Sequence, residues 1–231
     1  MKALGMLSGG AAEGLVASLS QAFRAETGLE IKGEYGAVGG MADKLRNGAR
    51  ADIIILTAAL VARLAAEKLV VESSIADVGV VETALAVRSG DPKVSVGNAD
   101  DLRKALVAAD AIFAPDTKIS TAGIHVAKVL QQLGIADEVA GRLKIYPNGA
   151  TAMRELAASQ ARHPIGCTQS TEIISTRGVE LSGALPRGCE LATMYTAAVA
   201  THAANAAEAK ALIRLLTSPD TSEARRSAGF L

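Results

Sequence analysis

Between residues 3 and 68 the sequence switches three times from a short apolar run to a stretch of helical spacing. Residues 3–7 read as a strand. Residues 11–27 read as a helix, with Leu15, Leu19 and Phe23 at steps of four. Gly28 follows where a helix needs a residue free to turn left-handed. Residues 29–35 then read as a strand and residues 39–47 as a short helix closed by Gly48. In residues 51–56 the run Ile53-Ile54-Ile55-Leu56 is continuous rather than alternating, as in a parallel strand buried on both faces. A helix over 57–68 follows, with Thr57 at its N-cap. Three strand-then-helix units in succession predict a doubly wound parallel sheet.

Beyond residue 70 the rhythm changes. Residues 78–88 form one long strand-like run, and residues 89–98 are rich in Gly, Pro, Asp and Ser, as loops are. A second α/β unit follows, with helices over 99–108, 122–133 and 150–160 and strands over 111–114, 143–146 and 165–168. A second long extended run, residues 189–201, precedes helices over 205–216 and 219–227. This pattern predicts an α/β chain of two doubly wound lobes joined by two crossing strands. One lobe takes residues 1–82 and 197–231, the other 83–196. The hinge falls near residues 82–86 and 194–198. No internal repeat or low-complexity segment interrupts it.

Composition narrows the function classes. Half the chain is apolar (49%), ample for a core, yet aromatics make up only 3%, so the core is built from Ala, Leu, Val and Ile. Lys plus Arg is 24 and Asp plus Glu is 24. A neutral chain lacks the basic excess that binds phosphate backbones, which argues against a nucleic-acid partner. No apolar run is long enough for a transmembrane helix. The Met-Lys start is too short for a secretory apolar region, so the compartment reads as periplasmic if a leader was removed and cytoplasmic otherwise. Cys167 and Cys189 leave two readings open, a single bridge or two small buried residues.

Most catalytic signatures are missing. No HExxH motif occurs, and His125, His163 and His202 lie far apart without carboxylates at ligand spacing, so no metal site is expected. There is no GxSxG elbow and no GxGxxG. Gly9 to Gly14 has P-loop spacing, but Leu15-Val16 stands where Lys and Ser or Thr are required. No cofactor is expected.

What remains is a set of small-residue loops between strands and helices: Ser8-Gly9-Gly10-Ala11, Ala37-Val38-Gly39-Gly40, Leu56-Thr57-Ala58, Ser120-Thr121-Ala122-Gly123 and Asn148-Gly149-Ala150-Thr151. In a parallel sheet such loops gather at the carboxyl ends of the strands, where ligands bind. Each sets backbone N–H groups at a helix start, which suits an anion. Taken singly, each is also an ordinary turn or cap.

In order along the chain, Leu7-Ser8-Gly9-Gly10-Ala11, Tyr35-Gly36-Ala37-Val38-Gly39-Gly40, Asn47-Gly48-Ala49-Arg50-Ala51-Asp52, Thr121-Ala122-Gly123, Pro164-Ile165-Gly166 and the terminal Gly229-Phe230 resemble the periplasmic molybdate-binding proteins of ABC importers. The resemblance implies a two-lobed type II periplasmic-binding-protein-like fold that closes on a small anion. The implied partners are that anion and an ABC importer membrane subunit, and the implied state is a monomer. Carried onto this chain, the lining residues are Ser8, Gly9, Gly10, Gly39, Thr57, Thr121, Thr151 and Gln169. Two departures matter. The second loop has no hydroxyl, and Gln169 stands where the family has an oxyanion-donating Tyr. Each lost donor leaves a ligand oxygen unpaired at about 1–3 kcal/mol, which points away from molybdate and toward another small anion such as an organic carboxylate.

Some proteins that resemble this family are enzymes: aconitate isomerase looks like a binding protein turned to proton transfer. An isomerase of unsaturated di- or tricarboxylates needs a proton-transfer group. His125, in the first turn of one predicted helix, and Arg154, one turn into the next, are the candidates on that reading. The plainer one makes His125 a partly exposed helix residue and Arg154 a solvated charge.

Overall fold

The computed structural model describes residues 3–231; the Met-Lys start lies outside the described residues. The chain divides into two compact units. The first runs to Val81 and resumes over Thr193–Leu231, and the second is Glu82–Ala192.

The first unit opens with β1 (Ala3–Gly9), a single 3-10 turn (Gly10–Ala12) and α1 (Glu13–Thr27). There follow β2 (Glu30–Gly36), α2 (Val38–Arg46), β3 (Ile53–Thr57) and α3 (Ala58–Ala66). Next comes β4 (Ala76–Arg88), which leads into the second unit. β1 runs parallel to both β2 and β3, as the strand-then-helix pattern predicts. Ile53, Ile54, Ile55 and Leu56 are all fully buried, so β3 is covered on both faces. Leu15, Leu19 and Phe23 of α1 pack into the same core. Gly28 takes φ 73° and donates its N–H to Arg24 O at 2.8 Å, closing α1 in the left-handed conformation that the sequence assigns it. The helix expected to reach Lys68 ends at Ala66, and Lys68 itself turns left-handed at φ 60°.

In the second unit come α4 (Ala99–Ala108), β5 (Ala111–Pro115), α5 (Thr121–Gln132) and α6 (Ala136–Val139). They are followed by β6 (Leu143–Tyr146), α7 (Gly149–Ala158), β7 (Pro164–Gln169), α8 (Ser170–Ser175) and β8 (Val179–Ala184). β5 is parallel to β6 and β7, while β4 is antiparallel to β7 and β8. Side chains alternate across this sheet. Leu85, Ile112, Ala114, Ile165 and Cys167 face one apolar cluster with residues of α4 and α5. Ala84, Ala86, Ala111 and Phe113 face another with residues of α7 and α8. Helices on both faces make this unit doubly wound. Cys167 and Cys189 are free thiols buried in the first of these clusters. Burial alone pushes Cys167 up to about 12.

The chain returns to the first unit through β9 (Ala192–Val199), antiparallel to β3, and ends in α9 (Ala206–Thr217) and α10 (Ser222–Ser227). The long run 189–201 is therefore strand only in its middle. Cys189 N–H closes a turn on Pro186 O at 2.9 Å before β9 starts. The short elements α6, α8 and β8 carry too few apolar positions to show a period, and sequence reading passes over them.

Candidate functional site

In the first unit the parallel strands finish level. Ser8 stands beside Tyr35 of β2 and Ile55 of β3, and Gly9 beside Gly36. A helix begins immediately after each strand. The residues preceding these helical starts, Gly9, Ala37 and Thr57, are all extended, and none supplies a side-chain cap to the turn that follows. The first N–H groups of three adjacent helical starts are thus left without a capping side chain at one sheet edge, the arrangement that attracts an anion. Ser8 is fully buried and its hydroxyl donates to Gly9 O at 2.9 Å. Gly9 has no room for a side chain: a Cβ there would stand 2.7 Å from Val38 and 2.9 Å from the ring of Tyr195. Tyr195 is the β9 residue opposite Thr57. Tyr35 is a second phenol at this edge, pushed up to about 12 by burial and then by Glu13, so it keeps its proton at neutral pH.

The second unit repeats the arrangement with one difference. Ser120 before α5 and Gln169 before α8 give no side-chain cap. Asn148 does cap α7, accepting from Thr151 N–H at 2.8 Å. The Glu172 carboxylate presses on the same helix start; a Cβ on Gly149 would stand 1.9 Å from its Oε2. Glu172 is buried and accepts from the Thr168 hydroxyl at 2.6 Å. Gly123 meets a similar limit, since a Cβ would reach 2.1 Å from Asp116 O. Its absent side chain lets α5 close on the end of β5. Arg154 lies one turn into α7 and reaches back to donate to Thr151 Oγ1 at 2.9 Å.

The sequence signature of the bacterial extracellular solute-binding proteins matches residues 4–231. The chain belongs to that family. An aconitate isomerase from a Pseudomonas species is 25% identical over 238 residues, covering 98% of this chain and 87% of that protein. Among solved structures, the periplasmic molybdate-binding protein of Azotobacter vinelandii superposes with a TM-score of 0.83 at 17% identity, covering 99% of this chain and 98% of that one. A sulfate-binding protein from Mycobacterium tuberculosis superposes with a TM-score of 0.76 at 18% identity, covering 100% and 86%. The fold of this solute-binding protein is the mixed α/β fold of periplasmic binding proteins.

Within this solute-binding protein, Ser8, Gly9, Gly10, Gly39 and Thr57 collect at the strand ends of the first unit. In the second, Thr121 and Thr151 stand in the first turns of α5 and α7, and Gln169 ends β7. His125 is half-buried in the second turn of α5, and its Nε2 lies 2.8 Å from Cys189 O. A carbonyl only accepts, so Nε2 carries the hydrogen and Nδ1 is the ring's remaining basic nitrogen. Sequence reading misses Tyr195, Thr83, Thr171 and Glu172. The first two are polar residues inside long apolar runs, which was the available signal. A cavity of about 550 Å³ in the second unit, lined by Val87, Lys93, Val94, Arg162 and Ile165, lies at the other end of β7. Among the described residues, no group of His, Cys, Asp and Glu is arranged to hold a metal ion. Among them also, no helix is long and apolar enough to cross a membrane.

Proposed function

We propose that this protein captures a small anion other than molybdate and delivers it to the membrane subunit of an ABC importer, acting as a monomer in the periplasm. The observation that carries this is the run of uncapped helix starts at the strand ends, bordered by neutral hydroxyl, phenol and amide groups. Such donors hold an anion without titrating. The proposed contacts are Ser8, Gly9, Gly10, Gly39 and Thr57 in the first unit and Thr121, Thr151 and Gln169 in the second. Arg154 adds a cation beside one of these contacts through its bond to Thr151. The hinge is proposed where the chain passes from one unit to the other, near Glu82 and again near Thr193. The absence of a hydroxyl in Ala37-Val38-Gly39-Gly40, and an amide at Gln169, support an organic carboxylate over a tetrahedral oxyanion.

A thermal-shift panel of oxyanions and of mono-, di- and tricarboxylates tests the reading. An anion at 100 times its Kd adds about 2.7 kcal/mol of stability. A panel in which no anion raises the melting temperature overturns it, and molybdate as the tightest ligand overturns the exclusion of molybdate.

The relation to an aconitate isomerase supports a second reading, isomerisation of a small unsaturated carboxylate. On that reading His125 Nδ1 is the base and Arg154 the carboxylate partner. Deuterium uptake by cis-aconitate in heavy water, dependent on wild-type protein and lost in His125→Ala, would establish it over simple capture.

A further inference from the structure

We infer that the captured anion carries a hydrogen-bond donor of its own, a hydroxyl on a carboxylate skeleton, and that Gln169 selects it. The inference rests on the solute-binding reading above and narrows it to a ligand class.

Gln169 ends β7 and faces Thr83 of β4 as its cross-strand partner, so the two side chains share one face of the sheet. Thr171 follows two residues later in α8. All three are at least nine-tenths buried. Both Gln169 amide atoms lack a hydrogen-bond partner, and so do the hydroxyls of Thr83 and Thr171. Buried polar side chains are paired in the large majority of cases, so three orphaned ones on neighbouring positions call for a partner that binds there.

The chemistry of the four atoms limits that partner. Thr83 Oγ1, Thr171 Oγ1 and Gln169 Nε2 can all donate, whereas Gln169 Oε1 can only accept. Sulfate, molybdate or an unsubstituted carboxylate offers acceptors alone. It would satisfy the donors and leave Oε1 buried and unpaired beside a negative charge. A ligand bearing one O–H as well as its carboxylate oxygens satisfies all four. An ammonium would seek a carboxylate. The neighbouring one, Glu172, already accepts from Thr168 at 2.6 Å. A neutral amide oxygen suits a neutral hydroxyl better.

The test is titration calorimetry of the full chain against acids that differ only in this group. Succinate, malate and aspartate carry hydrogen, hydroxyl and ammonium at one carbon. Propionate with lactate, and tricarballylate with citrate, repeat the hydrogen-to-hydroxyl change at other sizes. Sulfate and molybdate complete the set. In whichever series binds, the hydroxyl-bearing acid should bind at least about ten times tighter than its hydrogen counterpart. In Gln169→Met, which keeps the length of the side chain and removes both polar atoms, that ratio should fall to within about threefold. The ligand-free variant should melt no lower than wild type, because a buried unpaired amide is gone, and this shows that it folds. Thr83→Val should weaken all members of a series equally. Hydroxyl-free acids bound as tightly overturn the inference, as does a ratio unchanged in Gln169→Met. Aspartate bound more tightly than malate, or an inorganic oxyanion tighter than every acid, overturns it too. These outcomes leave the solute-binding reading standing; a chain that binds no anion in the set overturns both.

Discussion

The rings of Tyr195 and Phe230 meet edge to face, with centroids 6.4 Å apart and planes at 85°. Phe230 is fully buried, and the final residue pairs with β4, Leu231 N–H donating to Val80 O at 2.8 Å. The C-terminus thereby supports the tyrosine that packs over Gly9. Phe230→Ala should destabilise the protein by about 3–5 kcal/mol, the usual range for emptying an aromatic site. Urea unfolding monitored by circular dichroism measures it. A loss below 1 kcal/mol would mean that Tyr195 is held by other contacts.

Asp52 gives a pH signature. Burial raises its pKa, but the Asn205 amide and the N–H groups of Gly5, Asn205 and Ala204 outweigh burial and hold the carboxyl below its ordinary value. Gly5 and Asn205 N–H donate to it at 2.8 Å each, and the Asn205 amide at 3.0 Å. A depressed folded pKa contributes stability that is full above the unfolded value of about 3.9 and is lost as pH falls through the folded value. Asp52→Asn should therefore cost roughly 1–3 kcal/mol at pH 7, and the gap from wild type should close as pH falls below the unfolded value and through the depressed folded one. A gap that stays constant across that range would assign the cost to packing rather than to charge.

Two glycines should respond in opposite directions. Gly149→Ala drives a methyl into Glu172 and Thr168, both buried and bonded to each other, and should destabilise by about 1–3 kcal/mol or more. Gly40, inside α2, has no atom other than its chain neighbours and its own helix backbone within 4 Å of where a Cβ would stand. Gly40→Ala should stabilise by about 0.5–1 kcal/mol. Chemical denaturation of the pair checks both signs.

Ser8→Ala should weaken anion binding by about 1–2 kcal/mol while leaving fold stability within about 1 kcal/mol, since the hydroxyl donates only to the local Gly9 carbonyl. Calorimetry beside urea unfolding separates the two effects. Unchanged affinity would move the site away from the first strand end.

The sequence by itself determined the order of the longer strands and helices, but not the short α6, α8 and β8. The continuous Ile53–Leu56 run, the four-residue steps in α1 and the helix-ending Gly28 are local signals, fixed by periodicity and backbone conformation within a few residues. The positions of Ser8, Gly9, Thr57 and Thr121 at strand ends and helix starts were legible because small residues fall between a strand period and a helix period. Only the tertiary structure decided which side chains near those loops are satisfied. Glu172 reads as one more acidic residue in a short segment until α8 sets it against Gly149. Tyr195 and Thr83 sit in apolar runs that a period-two reading buries as core. Gln169 reads as a missing tyrosine; that its amide is buried and unpaired, with Thr83 opposite it, is seen only once β4 is registered against β7. Register and hydrogen-bond partnership join residues more than eighty positions apart, and no window along the chain contains both partners.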